Sequence, residues 1–297
     1  MKIAFLSRYY KQNPRGVETY VKEVSSRLSN LGHKVTVYRD IFDHVDPRTQ
    51  VLISTNGRLD AVLSKIWCLL HNCKLVISGQ SGVGWDDKLN LWVFPDEFIA
   101  LTDYQYRWAK AINPRISIIK IPNGVDLNKF NSKVKPLSLD LPKPIILIVG
   151  AVKPSKLGEI SKGHELLSKA AKKIKASVLQ VGQGGDITLP HQDMPSVYTA
   201  CDLFSYPTSP RESFGIALLE AMASGLPVVA TDDPIRREIV GNAGLFVDPR
   251  DIDKYAKALE TALKINWKNK PRQQAKKFSW DVIAQKYSDL CKKNASY

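Results

Sequence analysis

The stretch PRESFGIALLEAMASGLPVVATDDP, from Pro210 to Pro234, follows one strand-like run and leads into another. LFSYP stands just before it, IALLEAMA is an apolar run of helical length, and PVVA resumes a strand pattern. Gly225 lies between helix and strand, where glycine commonly ends a helix. A strand, a helix and a second strand joined by such short connections predict a βαβ unit with parallel strands.

Two glutamates, Glu212 and Glu220, bracket the start of this helix. Ser213 is a favourable N-cap residue, and Gly215 lets a ligand approach the backbone because it has no Cβ. The backbone amides of residues 214–216 can then bind an anion such as a diphosphate, while Glu220 can accept hydrogen bonds from a ribose diol. The alternative interpretation is a capped surface helix that binds no ligand.

The rest of the chain alternates strand-like and helix-like runs in the same manner. The further strand-like runs are KIAFL, HKVTVYR, QVLIST, KLVISG, EFIALT, ISIIKIPNG, PIILIVG, SVLQVG and GLFVDP. Helical patterns are expected at about 17–31, 58–71, 102–112, 162–174, 194–201, 251–265 and 279–292. This alternation predicts an α/β protein with mainly parallel sheets.

A connector rich in proline, asparagine and lysine begins at Asn123 and separates two such α/β series. We predict two Rossmann-like domains that face an interdomain cleft. Residues 1–125, joined by the C-terminal helix at about 279–292, form the first, acceptor-side domain. Residues 126–278 form the second, which binds the nucleotide sugar. Ligands are expected at the carboxyl ends of the strands.

Composition is that of a globular protein: 297 residues, 44% of them hydrophobic. The apolar runs are of strand length, so no transmembrane helix is expected, and MKIAFLSRYY lacks the pattern of a signal peptide. The four cysteines have no metal-ligand spacing and are expected to be structural thiols in a reducing cytoplasm. They are Cys68, Cys73, Cys201 and Cys291.

The chain is basic, with a net charge of +14, and residues 264–297 hold nine basic side chains against two acidic ones. This excess indicates either a solvated helical face or attraction to anionic lipid head groups. The predicted location is therefore cytoplasmic, with peripheral contact at the inner face of the membrane as the alternative. No nucleic-acid partner is predicted, because no RNP, helix-turn-helix or zinc-finger pattern is present.

The segment from Pro210 to Asp251 resembles the donor-site signature of the retaining GT-B glycosyltransferases of glycosyltransferase family 4. The similarity includes the E-x7-E pair, EAMASGLPVVA and the downstream EIV…AGLFVDPRD. Other segments follow the family's order: GVETYVKEVSSRLSNLGHKVTV, IPNGVDLNKF, SKGHELLSKAA and VGQG. The resemblance covers most of residues 1–290 and is weakest in the middle of the N-terminal half.

The resemblance implies that the C-terminal domain binds a nucleotide-sugar donor. Glu212 and Lys162 would be catalytic, Glu212 at the sugar and Lys162 at the donor phosphates. The implied donor-binding residues are Gly16, Lys162, Gly182, Glu212, Phe214, Gly215, Ile216 and Glu220. The acceptor-side candidates are Gln80, Ser81 and Asn123.

The implied reaction moves a hexose from a UDP- or GDP-linked donor to a hydroxyl of a glycan, a lipid-linked sugar or a small molecule, with retention of anomeric configuration. In one mechanism considered for the family, the acceptor enters on the face that the phosphate leaves, and a phosphate oxygen takes its proton. Cationic side chains and helix amides stabilise the leaving diphosphate. No metal and no cofactor beyond the co-substrate are expected.

The sequence departs from the family pattern in three places. Gly150-Ala151 replaces the usual Gly-Arg, so Lys153 or Lys156 would have to substitute at the phosphate. Gln80 stands where many members have histidine, and Arg15-Gly16 replaces a glycine pair. These departures keep a second hypothesis open, a catalytically silent protein that binds nucleotide sugars or anionic glycans. A dinucleotide-dependent oxidoreductase is disfavoured because the first βα turn lacks G-x-G-x-x-G.

Two tryptophans, Trp85 and Trp92, flank DDKLNL after the Gln80 loop. They are interpreted as core residues by default, and as an acceptor-side aromatic platform or a membrane-facing edge otherwise.

Overall fold

The computed structural model describes residues 1–12, 16–152, 163–208 and 212–295. The chain divides into two compact units. The N-terminal unit comprises residues 1–124 and 280–297, and the C-terminal unit comprises residues 125–279. Each unit is an α/β structure built on one parallel sheet.

The N-terminal unit contains a six-stranded sheet in the order β2-β1-β3-β4-β5-β6. The strands are β1 (Lys2–Leu6), β2 (Lys34–Tyr38), β3 (Val51–Ser54), β4 (Lys74–Ser78), β5 (Glu97–Ala100) and β6 (Ile118–Lys120). The helices are α1 (Gly16–Asn30), α2 (Leu59–Leu70), α3 (Trp85–Trp92), α4 (Asp103–Ile112) and α11 (Trp280–Ala295). Its paired strands are parallel, from Lys2 opposite Lys34 to Ala100 opposite Lys120.

The C-terminal unit contains a five-stranded parallel sheet in the order β11-β10-β9-β7-β8. The strands are β7 (Ile145–Val149), β8 (Ser177–Val181), β9 (Leu203–Tyr206), β10 (Val228–Thr231) and β11 (Gly244–Val247). The helices are α5 (His164–Lys173), α6 (Met194–Ala200), α7 (Ile216–Ala223), α8 (Pro234–Val240), α9 (Ile252–Lys264) and α10 (Lys270–Lys276).

The cores follow from the apolar patterns of these elements. Parallel strands covered on both faces have near-continuous apolar sequences, and β3 (VLIS) and β7 (IILIV) are buried along almost their whole length. One core cluster of the N-terminal unit joins the sheet to Ala61 and Cys68 of α2, Leu91 of α3 and Ala109 of α4. Helices α2, α3 and α4 therefore share one hydrophobic layer. All four cysteines are free and buried, as expected of structural thiols.

The predicted fold class is confirmed: the chain has two α/β units with parallel sheets of six and five strands. Every strand-like run forms a strand, and the predicted helices form within two or three residues of their expected bounds. Helices α3, α8 and α10 were not predicted from the sequence. Two of them, α8 and α10, have proline in the first turn, where the missing N–H costs nothing.

The default interpretation of Trp85 and Trp92 as core residues is wrong. Their exposed fractions are 74% and 53%. Helix α3 instead buries Asp87, Asn90 and Leu91, so a polar face points inward and an aromatic face points to solvent.

Asp87 is a buried carboxyl group in α3. Asn90 Nδ2 and Gln105 Nε2 donate to it at 3.1 and 3.0 Å. Burial raises the pKa of Asp87 from 3.8 to about 7, against the opposing effect of these hydrogen bonds. Between these two pH values the folded protein keeps a proton that the unfolded chain has lost. The stabilisation is therefore complete below about pH 4 and is lost as the pH rises through 7.

We expect the free energy of unfolding of the wild type to fall, relative to Asp87→Asn, by up to about 1.4 kcal/mol per pH unit in this interval. Urea unfolding of both proteins across the interval measures the difference. Asp86→Asn is the matched control, because Asp86 is the half-exposed neighbour paired with Arg58 at 2.6 Å. The prediction would be contradicted if the difference in free energy of unfolding between wild type and Asp87→Asn stayed constant across this pH interval.

Candidate functional site

The start of α7 lies in the loop after β9, at the carboxyl edge of the C-terminal sheet. Gly215 is the N-cap residue with φ of +94°, and helical geometry begins at Ile216. The predicted N-cap, Ser213, is therefore wrong, because the left-handed backbone at Gly215 postpones the helix by two residues. Glu220 consequently lies about one turn, roughly 6 Å, from the helix start rather than two turns.

Gly215 is required here both by its backbone and by its neighbour. A Cβ on Gly215 would lie 2.7 Å from Tyr206 Oη and 2.9 Å from its ring. The ring of Tyr206 is buried, so it has little room to move. The amide end of α7 is thus packed directly on the last residue of β9, which fixes where an anion can meet it.

Gly215→Ala should lower the free energy of unfolding by about 2–3 kcal/mol, from left-handed strain plus the clash with Tyr206. Gly225→Ala is the matched control at the other end of α7. Gly225 also has a positive φ of +97°, but its Cβ would meet only Ser132, at 3.6 Å. Chemical denaturation of both variants separates the clash from the strain. Equal losses would show that the packing against Tyr206 contributes nothing.

Glu220 is a buried carboxylate, 6% exposed, with two hydrogen-bond donors. His191 Nε2 lies 2.6 Å from Oε1, and Tyr198 Oη lies 2.9 Å from Oε2. A carboxylate has about four acceptor positions, so about two remain for another ligand. Burial, and then the negative charge of Glu220, raise the pKa of Tyr198 well above its ordinary value, so this phenol stays protonated and donates.

The tautomer of His191 can be assigned from its other neighbour. Lys129 Nζ lies 3.1 Å from Nδ1 of His191, and an ammonium group only donates. Nδ1 therefore accepts, and Nε2 carries the proton that is donated to Glu220. The ring of Phe130 lies 5.5 Å from the His191 ring and 5.9 Å from the Tyr198 ring. These contacts hold Glu220 in one orientation.

Glu212 lies in the loop before α7. Its carbonyl accepts from Nη1 of Arg236 at 3.1 Å, and its carboxylate is hydrogen-bonded to Tyr206. Burial, and then the charge of Glu212, raise the pKa of Tyr206 well above its ordinary value. The tyrosine that packs under Gly215 therefore also positions Glu212.

Arg236 of α8 is a fully buried cation that ties this loop to the start of α8. Its Nη2 donates to Thr208 Oγ1 at 2.7 Å, and its Nη1 lies 3.3 Å from Asp233 Oδ2. Asp233 in turn caps α8 by accepting from the amides of residues 235 and 236. Arg236 therefore fixes the loop after β9 and the start of α8 together.

Gly182 lies after β8 with φ of +139°, and its Cβ would lie 2.5 Å from the carbonyl oxygen of Gly150. This glycine lets the loops after β7 and β8 touch. Both loops are at the same edge of the sheet as Gly215. Lys162, predicted as catalytic, and the substitutes Lys153 and Lys156 lie outside the described residues.

In the N-terminal unit, the predicted residues lie at the carboxyl edge of its sheet. Gly16 begins α1 and is exposed, and Ser81 is exposed after β4. Gln80 and Asn123 are buried and bonded to each other, with Gln80 Nε2 donating to Asn123 Oδ1 at 3.3 Å and Asn123 Nδ2 donating to Gln80 Oε1 at 3.1 Å. The amide pair joins the loops after β4 and β6, whereas Ser81 lies outside it.

A pocket of about 300 Å³ opens at the same edge of the N-terminal unit, between the ends of β1 and β3 and the start of α1. It is lined by Ser7, Arg8, Tyr9, Val17, Glu18, Thr55, Asn56, Gly57 and Asp60. Arg8 pairs with Asp60 at 2.6 Å. These polar groups were not predicted from the sequence.

A larger groove, of about 520 Å³, lies at the opposite end of α7 in the C-terminal unit. Its Arg272 donates to the carbonyls of Leu127, Phe130 and Ala223, so this cation fastens backbone segments. The glutamate pair and the amide end of α7 make the region at the β9 end of α7 a better candidate site than this groove.

The described residues show neither a cluster of metal ligands nor a membrane-spanning helix. In residues 1–12, 16–152, 163–208 and 212–295, no group of three or more His, Cys, Asp or Glu is placed to hold a metal ion. Within those same ranges, no helix combines the length and the apolar character needed to cross a membrane.

Sequence reasoning missed His191, Tyr198, Tyr206 and Arg236. Tyr206 is 6 residues from Glu212, and the other three are 22 to 29 residues from the glutamate that they contact, so no single spacing links them. One sequence signal was available for Arg236. Asp233 stands before a proline and three residues before Arg236, which indicates the capped start of a helix but does not indicate that the arginine is buried.

The part of the chain that contains this site is similar to a known protein family. The family model described as glycosyl transferases group 1 matches residues 187–279, which include both glutamates. The O-antigen chain mannosyltransferase B of Escherichia coli is 40% identical over 98 residues, covering 31% of this chain and 26% of the relative. A phosphatidyl-myo-inositol mannosyltransferase of Mycolicibacterium smegmatis is 29% identical over 218 residues, covering 63% and 54%.

The chain thus spans about half or less of the length of these curated relatives. Similarity to solved structures extends over the whole chain. HepE of Anabaena, solved with UDP-glucose, aligns over 99% of this chain and 100% of its own with a TM-score of 0.76 and 17% identity. A glycosyltransferase from Rickettsia africae aligns over 99% and 98% with a TM-score of 0.77 and 17% identity. Residues 187–279 match the glycosyl transferases group 1 family, within a chain that has the GT-B fold.

Proposed function

We propose that this protein is a glycosyltransferase that moves a hexose from a nucleoside diphosphate sugar to an acceptor hydroxyl. The observation that carries the proposal is the start of α7, where Gly215 opens a helix N-terminus between Glu212 and the buried Glu220. A helix N-terminus favours a diphosphate, and a carboxylate one turn further along can accept from a ribose diol. The C-terminal unit therefore binds the donor.

The proposed roles follow the charge that develops in the reaction. As the glycosidic bond breaks, the leaving diphosphate gains negative charge, which the amides of residues 214–216 and Lys162 stabilise. Glu212 faces the sugar and stabilises the oxocarbenium-like anomeric carbon. Gly182 and Gly16 allow close approach of the phosphates, and Gln80, Ser81 and Asn123 contribute to the acceptor side.

The proposed stereochemical course is retention, as in glycosyltransferase family 4. The acceptor hydroxyl enters on the face that the diphosphate leaves, a new glycosidic bond forms as the old one breaks, and a phosphate oxygen takes the hydroxyl proton. This course uses no side-chain nucleophile and no metal. The names of the relatives point to mannose and inositol lipids, and that of HepE to UDP-glucose. The acceptor proposed is accordingly a glycan, a lipid-linked sugar or a small polyol.

A thermal-shift panel of UDP, GDP, ADP and their sugar conjugates in excess EDTA tests the donor site. A ligand at a hundred times its Kd stabilises the folded state by about 2.7 kcal/mol, which raises Tm by several degrees. We expect one nucleotide family to produce this shift in EDTA. A shift that requires magnesium or manganese would overturn metal independence, and no shift under either condition would overturn the donor site.

A second candidate is a nucleotide-sugar binding protein without turnover. It is favoured by Gln80 and Asn123, whose amides are directed at each other where a base is common in the family. Incubation of the donor that shifts Tm with candidate acceptors, followed by NMR of the product anomeric proton, separates the two. Transfer or donor hydrolysis excludes the silent protein, and binding without either supports it.

A further inference from the structure

Helices α2 and α3 have outward faces made of large apolar side chains. In α2 the exposed residues are Leu59, Val62, Ile66, Leu69 and Leu70, and in α3 they are Trp85, Leu89 and Trp92. Every exposed residue of these two helices is therefore a large hydrophobic one. Phe94, 43% exposed, continues the surface, and its ring lies 6.2 Å from that of Trp92. We refer to these nine residues as the apolar face.

The two helices present this face from one layer. Both pack inward on the same core cluster, through Ala61 and Cys68 of α2 and Leu91 of α3. Their starts are joined, because Arg58 at the beginning of α2 pairs with Asp86 of α3 at 2.6 Å. These three residues already supply the contacts by which the two helices pack on the core. The exposed apolar side chains are therefore not needed for that packing.

Such a surface requires an explanation beyond folding. Exposed apolar side chains scattered singly are ordinary, whereas contiguous apolar patches mark interaction sites. Tryptophan is favoured where one part of a ring is in contact with lipid and its N–H reaches water. With one tryptophan in the first turn and one at the end of α3, this face has the composition of a helix that lies in a membrane interface.

Lys88 is the cation of these two helices that lies on the apolar face, over the ring of Trp85 at 5.1 Å. Lys65, between Val62 and Leu69 on α2, pairs instead with Asp96 at 3.4 Å. Long lysine side chains can bury their stems beside apolar residues and keep the ammonium in the head-group layer.

The acidic groups of the same helices are neutralised or withdrawn. Asp60 pairs with Arg8 at 2.6 Å, and Asp86 pairs with Arg58. Asp87 is buried among amide donors. The face therefore offers Lys88 and apolar side chains, and each carboxylate of α2 and α3 is either paired with an arginine or buried.

We propose that α2 and α3 dock the N-terminal unit on an anionic lipid bilayer, with the apolar face inserted to the depth of the head groups. Basic side chains add attraction to anionic lipid that falls with salt, since the Debye length shrinks from about 10 Å at 0.1 M to about 3 Å at 1 M. The proposal does not depend on glycosyl transfer, because it concerns a surface remote in sequence from Glu212 and Glu220.

Vesicle flotation tests the proposal with the full chain. We expect binding to phosphatidylcholine vesicles that contain phosphatidylglycerol, at least about tenfold weaker binding without the anionic lipid, and weakening by salt. Trp85→Ser with Trp92→Ser should reduce binding at least about tenfold, because two interfacial anchors are lost. Leu69→Ser with Leu70→Ser should do the same, and Lys88→Gln should reduce only the anionic component.

The matched control is Phe42→Ser with Val282→Ser, which removes two exposed apolar side chains, 71% and 49% exposed, from other parts of the same unit. It should bind vesicles as the wild type does. All variants should melt like the wild type, since the replaced side chains are exposed. Absence of vesicle binding, or equal binding by the tryptophan variant, overturns the proposal. A third contradicting outcome is that the wild type binds no vesicles but forms a dimer in gel filtration, and that the tryptophan variant is a monomer. That result would assign the apolar face to contact with a second copy of the chain.

Discussion

Glu220→Gln should abolish stabilisation by the nucleotide and lower the rate of transfer at least about 100-fold, while the free energy of unfolding falls by only about 1–2 kcal/mol. The large effect on ligand binding arises because glutamine replaces a charged acceptor of the ribose diol with an amide that accepts at one atom only. Thermal shift with the nucleotide, transfer assays and urea unfolding measure the three quantities.

The small effect on stability follows from the partners of Glu220. His191 can go on donating from Nε2 to the amide oxygen, and the hydroxyl of Tyr198 can rotate to accept from the amide nitrogen, so both partners at 2.6 and 2.9 Å can adapt to glutamine. Glu260→Gln is the control, because Glu260 is an exposed glutamate on α9 of the same unit. It should leave Tm, nucleotide binding and transfer unchanged. If Glu220→Gln loses stability and nucleotide binding together because it no longer folds, Tyr198→Phe, which keeps the carboxylate, should still bind the nucleotide.

Arg236→Ala should lower the free energy of unfolding by about 3–5 kcal/mol, the largest loss of stability expected of any substitution considered for this protein. The guanidinium is fully buried, and its removal leaves Asp233, whose side chain is only 10% exposed, without its cation and beside the emptied space. Thr208 and the carbonyl of Glu212 lose the same donor. Because that carbonyl belongs to the loop of Glu212, the rate of transfer should fall as well.

The neighbouring Arg237 provides the control. Its side chain is 58% exposed, pairs with Asp232 and lies over the ring of Phe246. Exposed ion pairs contribute little to stability, so Arg237→Ala should leave Tm almost unchanged. Chemical denaturation of both alanine variants tests the contrast. Similar losses would show that the burial of Arg236 is not what makes it important.

The sheets could be predicted because their strands are continuous apolar runs. IILIV in β7 and VVAT in β10 have no polar residue before the carboxyl end, which distinguishes a covered parallel strand from the alternating pattern of a half-exposed one. Helices with a regular apolar stripe, such as α1 and α9, were equally clear. Helix α3 was missed because Leu91 is its one apolar residue in the core, so WDDKLNLW has no apolar stripe that points inward.

The glutamate pair could be located from the sequence because two carboxylates, a glycine and a helix start lie within nine residues. The orientation of Glu220 could not, because His191 and Tyr198 come from a different βα segment and meet it only in the folded sheet. The start of α7 was placed two residues early because serine is the commoner N-cap. In the structure Gly215 is the N-cap residue and packs on Tyr206, and this contact cannot be recognised from a sequence pattern.

Helix α11 belongs to the N-terminal unit although 155 residues of the other unit, 125–279, precede it in the chain. Its Trp280 and Tyr287 pack against Tyr20 of α1 at ring distances of 6.3 and 5.8 Å. Domains usually fold in the order of their synthesis. In this chain the packing around Tyr20 cannot be completed until α11 has been synthesised, after the whole of residues 125–279. The core of the N-terminal unit is therefore begun before the C-terminal unit is made and completed only after it.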